Sequence, residues 1–165
     1  MSLPSKCGNI LVTAFAAPVV LHSELRDGSL RAVAQDRGVP ILLYEAGEAL
    51  RFDETSIRIG VNGLVNVLRA NNMLPQITRK KQSKLPVITK TSKWIRSVES
   101  GMLRTIKALG DTVKLNEVIA YIDEPLGDET FEVVSPFDGI IIGKSEIPLA
   151  QEGDAIFHIS TKLTE

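Results

Sequence analysis

The chain has 165 residues, enough for one average domain or two small ones. Hydrophobic residues make up 44%, charged residues 24% and aromatics only 5%, so a core has to be built from Val, Ile, Leu and Ala. Nineteen basic and twenty acidic residues nearly cancel, which excludes a global field toward nucleic acid or membrane, and the single Cys7 excludes an internal disulfide framework. The longest apolar run, Ile10 to Leu21, holds Thr13 and Pro18, is too short to span a bilayer and lacks the basic flank of a signal peptide. A soluble, cytoplasmic protein is expected.

Charge is unevenly spread. Residues 1–73 carry 7 basic and 7 acidic groups; 74–96 carry 7 basic and no acidic; 97–165 carry 5 basic and 13 acidic. The net charge therefore steps from zero to +7 to −8, which predicts two modules meeting near Leu74-Pro75. The expected division is an α/β module over 1–75, a basic linker over 76–93 and a β module over 94–165. The basic stretch has only Trp94 to stack on a base, so no nucleic-acid partner is expected.

In chain order, residues 8 to 17 read as the tail of a helix, and Pro18-Val19-Val20-Leu21 as a short strand. Ser29 to Arg37 reads as a helix with a Leu30, Val33, Ala34 stripe stopped by Gly38. Val39-Pro40-Ile41-Leu42-Leu43-Tyr44 has no polar alternation before Tyr44, the pattern of a parallel strand covered on both faces. Asp53-Glu54 opens a longer helix whose apolar positions are Ile57, Val61, Leu64, Val65 and Leu68. Gly60 and Gly63 thin one side of it for a close neighbour, and Asn71-Asn72 and Pro75 end it. The alternation predicts part of a parallel α/β sheet, and two strands cannot bury this much aliphatic surface alone.

Ligands of open α/β sheets bind beyond the carboxyl ends of the strands, where His22 and Glu45 fall. A carboxylate at the rim of a buried strand is desolvated and its pKa rises toward that of a general base; a turn-capping acid is the alternative for Glu45. A strand-end imidazole bonded to backbone is the alternative for His22. The two histidines, His22 and His158, stand in no metal-binding spacing, and Cys7 has no histidine partner in sequence, so no metal ligand is assigned in this chain.

From Leu85 onward short β-rich runs are expected at 86–89, 94–98, 102–106, 118–122, 130–134, 139–142 and 155–159. A weak repeat is visible: Ser97 to Gly101 leads to Leu109-Gly110-Asp111-Thr112-Val113, and Ser135 to Gly139 leads to Glu152-Gly153-Asp154-Ala155-Ile156. Glycine at these turns supplies positive φ. The pattern resembles the barrel-sandwich fold of biotinyl and lipoyl carrier domains. Carriers place a lysine between the two halves, whereas residues 117–138 contain none, so a swinging arm is not expected.

Gly38 to Glu48, Arg51-Phe52-Asp53-Glu54 and Gly60 to Leu68 resemble the succinylglutamate desuccinylase/aspartoacylase family. The likeness runs on through Trp94-Ile95-Arg96, Gly101, Leu109 to Val113 and Ser135 to Gly139. The resemblance implies the C-terminal half of a zinc-carboxypeptidase-like domain followed by a β domain, from a deacylase that hydrolyses an amide bond of small N-acylated amino-acid-type substrates. It makes Glu45 the catalytic glutamate, taking a proton from zinc-bound water and passing it to the leaving amine. It makes Arg31 a clamp for a substrate carboxylate or oxyanion, with a solvated helix residue as the alternative. The zinc ligands of the family have no counterpart here, so the chain alone is expected to lack hydrolase activity. A homo-oligomer, or association with a missing N-terminal half, is expected from the open apolar sheet. The reading from a different class is a non-catalytic binding or assembly module built on the lysine-free barrel.

Overall fold

The computed structural model describes residues 6–77, 86–127 and 129–162. Four basic residues of the expected linker, Arg79, Lys80, Lys81 and Lys84, lie outside the described residues. The chain divides into two compact units, Met1–Val20 with Glu24–Val87, and Leu21–Ser23 with Ile88–Glu165. Among the described residues no helix is long and apolar enough to cross a membrane.

The first unit holds α1 (Lys6–Phe15), most of β1 (Val19–Leu21), α2 (Leu30–Asp36) and α3 (Glu54–Ala70). Local chemistry sets the helix starts. Ser29 Oγ accepts the Ala32 N–H at 3.2 Å, and Asp53 Oδ1 accepts the Thr55 N–H at 2.9 Å. Asn71 caps the far end of α3, and the following Asn72 turns out of it with φ +58°. The buried residues of α3 are Gly60 and Gly63, the two positions read as thin. The Phe15 ring of α1 lies on Gly63 and the Tyr44 ring on Gly60, with ring centroids 5.2 Å apart.

Residues 39–44 depart from expectation. They form no strand, and Leu43 is 63% exposed. A strand exists only through its ladder, and among the described residues nothing pairs with the backbone of Ile41, Leu42 or Leu43. The stripe residues Ile57, Val61 and Leu64 of α3 are also exposed, and Leu11 is the one buried hydrophobic side chain among this unit's described residues. The expected parallel sheet is reduced to one pair. Pro18 O accepts the Val87 N–H at 2.9 Å and the His22 N–H donates to Thr89 O at 2.8 Å, so pairing advances in the same sense along both segments.

The second unit contains β2 (Val87–Arg96) from Ile88 on, β3 (Gly101–Thr105), β4 (Thr112–Val113), β5 (Val118–Asp123), β6 (Thr130–Val134), β7 (Gly139–Lys144), β8 (Leu149–Ala150) and β9 (Ala155–Lys162). The runs expected at 86–89 and 94–98 are one strand, whose register shift between Thr89 and Thr91 breaks the alternation that a single strand would show. The two-residue strands β4 and β8 were not expected; they are too short to carry a period.

The sheet orders are β1-β2-β9-β7-β4 and β6-β5-β3-β8. Among the described residues no closed barrel is seen: the ladders leave two sheets, with one core between them. Phe157, Ile119, Ile122, Ile141, Ile156 and Ile159 are its largest buried side chains.

The repeat in sequence is a repeat in space. Strands β2 to β5 correspond to β6 to β9, and the two sheet orders map onto each other under that exchange, with β1 added to one edge. Ser97 Oγ donates to Glu99 O and Ser135 Oγ to Phe137 O, each at 2.7 Å. Asp111 accepts from the Ala108 N–H at 2.8 Å and Asp154 from the Gln151 N–H at 2.9 Å. Gly110 and Gly153 take the expected left-handed turn, φ +86° and +87°. Gly101 and Gly139 have another reason: a Cβ on either would stand 2.7 Å from the carbonyl oxygen of Asp123 or Ser160.

Candidate functional site

Glu45 directly follows Tyr44, which is anchored on the first turn of α3, and precedes Gly47, whose backbone passes beside the N-cap Asp53. The Tyr44 hydroxyl donates to Ser56 O at 2.9 Å, and a Cβ on Gly47 would lie 3.8 Å from Asp53 Cβ. Gly47 takes φ +83°, which lets the chain turn there and bring Glu45 and the α3 N-terminus into the same neighbourhood. Asp53 is held by Ser56 Oγ at 2.7 Å and by two backbone N–H groups, and these bonds keep its carboxyl below its ordinary value. Partial burial and then the Asp53 charge push the Tyr44 phenol upward, so it remains a donor to Ser56. Arg51 Nε pairs with Glu48 at 2.8 Å beside this turn.

Glu45 is exposed, and it has no hydrogen-bond or ion-pair partner among the described residues. The burial expected to desolvate it is absent, because the segment before it is not inside a sheet. Arg31 sits half-buried on α2, its Nη2 directed at Glu24 O across 3.4 Å, a weak bond at that length. No hydrogen bond or ion pair joins Arg31 to Glu45 among the described residues. The His22 side chain is exposed, and its backbone N–H completes the bond to Thr89. Tyr44 was overlooked as a site residue. An aromatic ring directly before an acid, with two glycines at helical spacing downstream to receive it, is the signal that could have found it.

A metal centre does not fit this set of residues. Among the described residues no group of three or more His, Cys, Asp or Glu is placed to hold an ion, and His158 Nε2 is engaged by Ser92 Oγ at 2.8 Å.

The structure was compared with known proteins. An aspartoacylase/succinylglutamate desuccinylase structure from Rhodobacter sphaeroides matches 99% of this chain at TM-score 0.82 and 18% identity. The fold is that of the succinylglutamate desuccinylase/aspartoacylase structures. The ectoine utilization protein EutE from Ruegeria pomeroyi matches 98% at TM-score 0.79 and 20% identity. A succinylglutamate desuccinylase from Silicibacter sp. matches 98% at TM-score 0.75 and 20% identity. The chain spans about half the length of these structures, 52%, 52% and 51%. No family model and no curated protein matches the sequence.

Proposed function

We propose that this chain is the Glu45-bearing half of a hydrolase that cleaves the amide bond of small N-acylated amino acids. The match of nearly the whole chain to the desuccinylase/aspartoacylase fold supports the reading, and the anchored turn around Glu45 supports its place in the chemistry. Amide hydrolysis needs a group that takes a proton from the attacking water and returns it to the leaving nitrogen, and a carboxylate does both. Arg31 would grip a substrate carboxylate through its planar donors. Among the described residues none are grouped to hold a metal, so this reading puts the metal ligands outside them and expects no turnover from the chain alone. The β unit would then be a carrier-like barrel-sandwich scaffold without the modified lysine, used for its shape.

Elemental analysis together with an assay on N-succinylglutamate and N-acetylaspartate tests this. The isolated chain should hold no stoichiometric zinc and show no turnover; either one overturns the division of labour proposed. In the assembled hydrolase, Glu45→Gln should lower kcat by about 10²- to 10⁴-fold, as loss of a proton-transfer group does. An unchanged kcat would remove Glu45 from the mechanism.

A further inference from the structure

His158 sits on β9 between its two partner strands, opposite Trp94 of β2 and Gly143 of β7. Its imidazole lies nearly flat against the Trp94 indole, with ring centroids 4.4 Å apart and planes 10° apart. Nε2 shares a 2.8 Å hydrogen bond with Ser92 Oγ, so the ring is held to β2 twice. Gly143 leaves room for both rings: a Cβ there would stand 3.2 Å from His158 Cβ and 3.8 Å from Trp94 Cη2. Trp94 is 47% exposed and His158 half-buried, so water reaches the stack.

The repeat supplies a comparison inside the molecule. Trp94 stands three residues before Ser97, and Glu132 three before Ser135; across their ladders they face His158 and Tyr121. The Arg104 guanidinium lies over the Tyr121 ring, 4.7 Å from its centroid. Arginine keeps its charge, so that cation–π contact is permanent. At the related place on the other sheet the ring is Trp94, and the group stacked on it gains its charge near neutral pH. Neutral, the two rings are an ordinary stacked pair; protonated, His158 is a cation on the face of the ring type that binds cations best. The Ser92 hydroxyl serves both states, since it donates to a bare Nε2 or accepts from a protonated one.

We infer that Trp94 and His158 form a proton-operated latch between β2 and β9, tighter when the imidazole is charged. The charged groups beside His158 on its partner strands are Lys93 and Arg96 of β2 and Lys144 of β7. Arg96 donates to Gly153 O at 2.6 Å and Lys144 is paired with Glu146 at 3.0 Å, whereas the indole touches the imidazole directly. The cations oppose a further charge and the indole favours it; contact decides for the indole. The folded value of His158 then lies above the unfolded one. Its stabilisation is complete below the ordinary histidine value of about 6.5 and is lost as pH rises through the folded value. The latch stands apart from the hydrolase reading.

Proton NMR of the imidazoles in the 165-residue chain, folded and in urea, tests it. His158 should titrate at a higher pH in the folded chain than in urea, and Trp94→Leu should bring the folded midpoint down. Fluorescence of Trp94, the sole tryptophan, should fall along the same midpoint as the imidazolium forms, and His158→Gln should abolish that step while His22→Gln leaves it. Protection of the Trp94 amide against exchange should rise about two- to fivefold from about pH 8 to about pH 6, the worth of an exposed cation–π contact, and stay level in His158→Gln. A folded midpoint at or below the one in urea overturns the latch, and so does a fluorescence step that survives His158→Gln. The comparison of folded chain with urea needs no variant, so it decides even where a substitution prevents folding.

Discussion

The ring of Phe15 lies on Gly63: a Cβ added to that glycine would stand 2.7 Å from Phe15 Cε2 and Cζ. This contact brings α1 against α3 and sets two effects in opposition. Gly63→Ala should gain about 1 kcal/mol in helix propensity, and overpacking against the ring should cost about 1–3 kcal/mol. The ring contact wins because the Phe15 ring, packed on both Gly63 and Tyr44, has to give way and loosens the end of α1. Amide exchange across Lys6–Phe15 should quicken, with α3 exchange unchanged or slower; a slower α1 would refute the contact.

The repeat-related glycines of the second unit should be less forgiving. At Gly101 and Gly139 a Cβ would meet ladder backbone, Asp123 O or Ser160 O, and that backbone cannot yield without breaking its strand pairing. Each Ala substitution should lower stability by about 2 kcal/mol or more and the Tm by roughly 4–8 °C per kcal/mol. Gly110→Ala is a different kind of probe, with open space around it and strain only from its φ of +86°. It should cost about 1 kcal/mol.

Phe157 is fully buried between the two sheets. Phe157→Ala should cost about 3–5 kcal/mol by urea titration, through lost burial and the cavity left behind. Leu126 is fully exposed, so Leu126→Ala should change stability by less than about 0.5 kcal/mol. Equal effects would place the core elsewhere.

Acid should loosen the second unit. Asp123 is held below its ordinary value by the Arg104 guanidinium, bonded at 3.1 Å, and then by the Thr130 hydroxyl. Glu117 is lowered by Lys107 and the Lys114 N–H, and Asp138 by the Leu115 N–H and Lys114. A depressed folded value means that the unfolded chain takes up protons first as pH falls. The stabilisation is therefore complete above the unfolded carboxyl values near 4 and is lost as pH drops through the lower folded ones. The urea midpoint should fall between about pH 5 and 3, and Arg104→Gln should flatten part of that fall. A midpoint that rose with acid would contradict the assignment.

How much could be read without the structure follows the range of each interaction. The caps Ser29 and Asp53 and the end at Asn71 were readable because a helix boundary is decided within four residues. Ser97 to Gly101 and Ser135 to Gly139 announced the repeat because each turn carries its own requirements. The run 39–44 was misread because apolarity states what a segment would bury and cannot supply the ladder that makes it a strand. The error carried over to Glu45, whose expected desolvation depended on that strand.

The sequence by itself determined the helices, most β runs, the twofold repeat and, as a strand-end acid, the candidate Glu45, since these rest on composition and near neighbours, whereas Arg31 and the catalytic role of Glu45 came from the family resemblance alone. Only the tertiary structure decided that β2 to β5 and β6 to β9 pair into two exchange-related sheets, that Tyr44 anchors the Glu45 turn on Ser56, and that the backbone of residues 41–43 finds no partner among the described residues. Strand pairing and burial depend on residues distant in the chain, and no local pattern records which of them arrive.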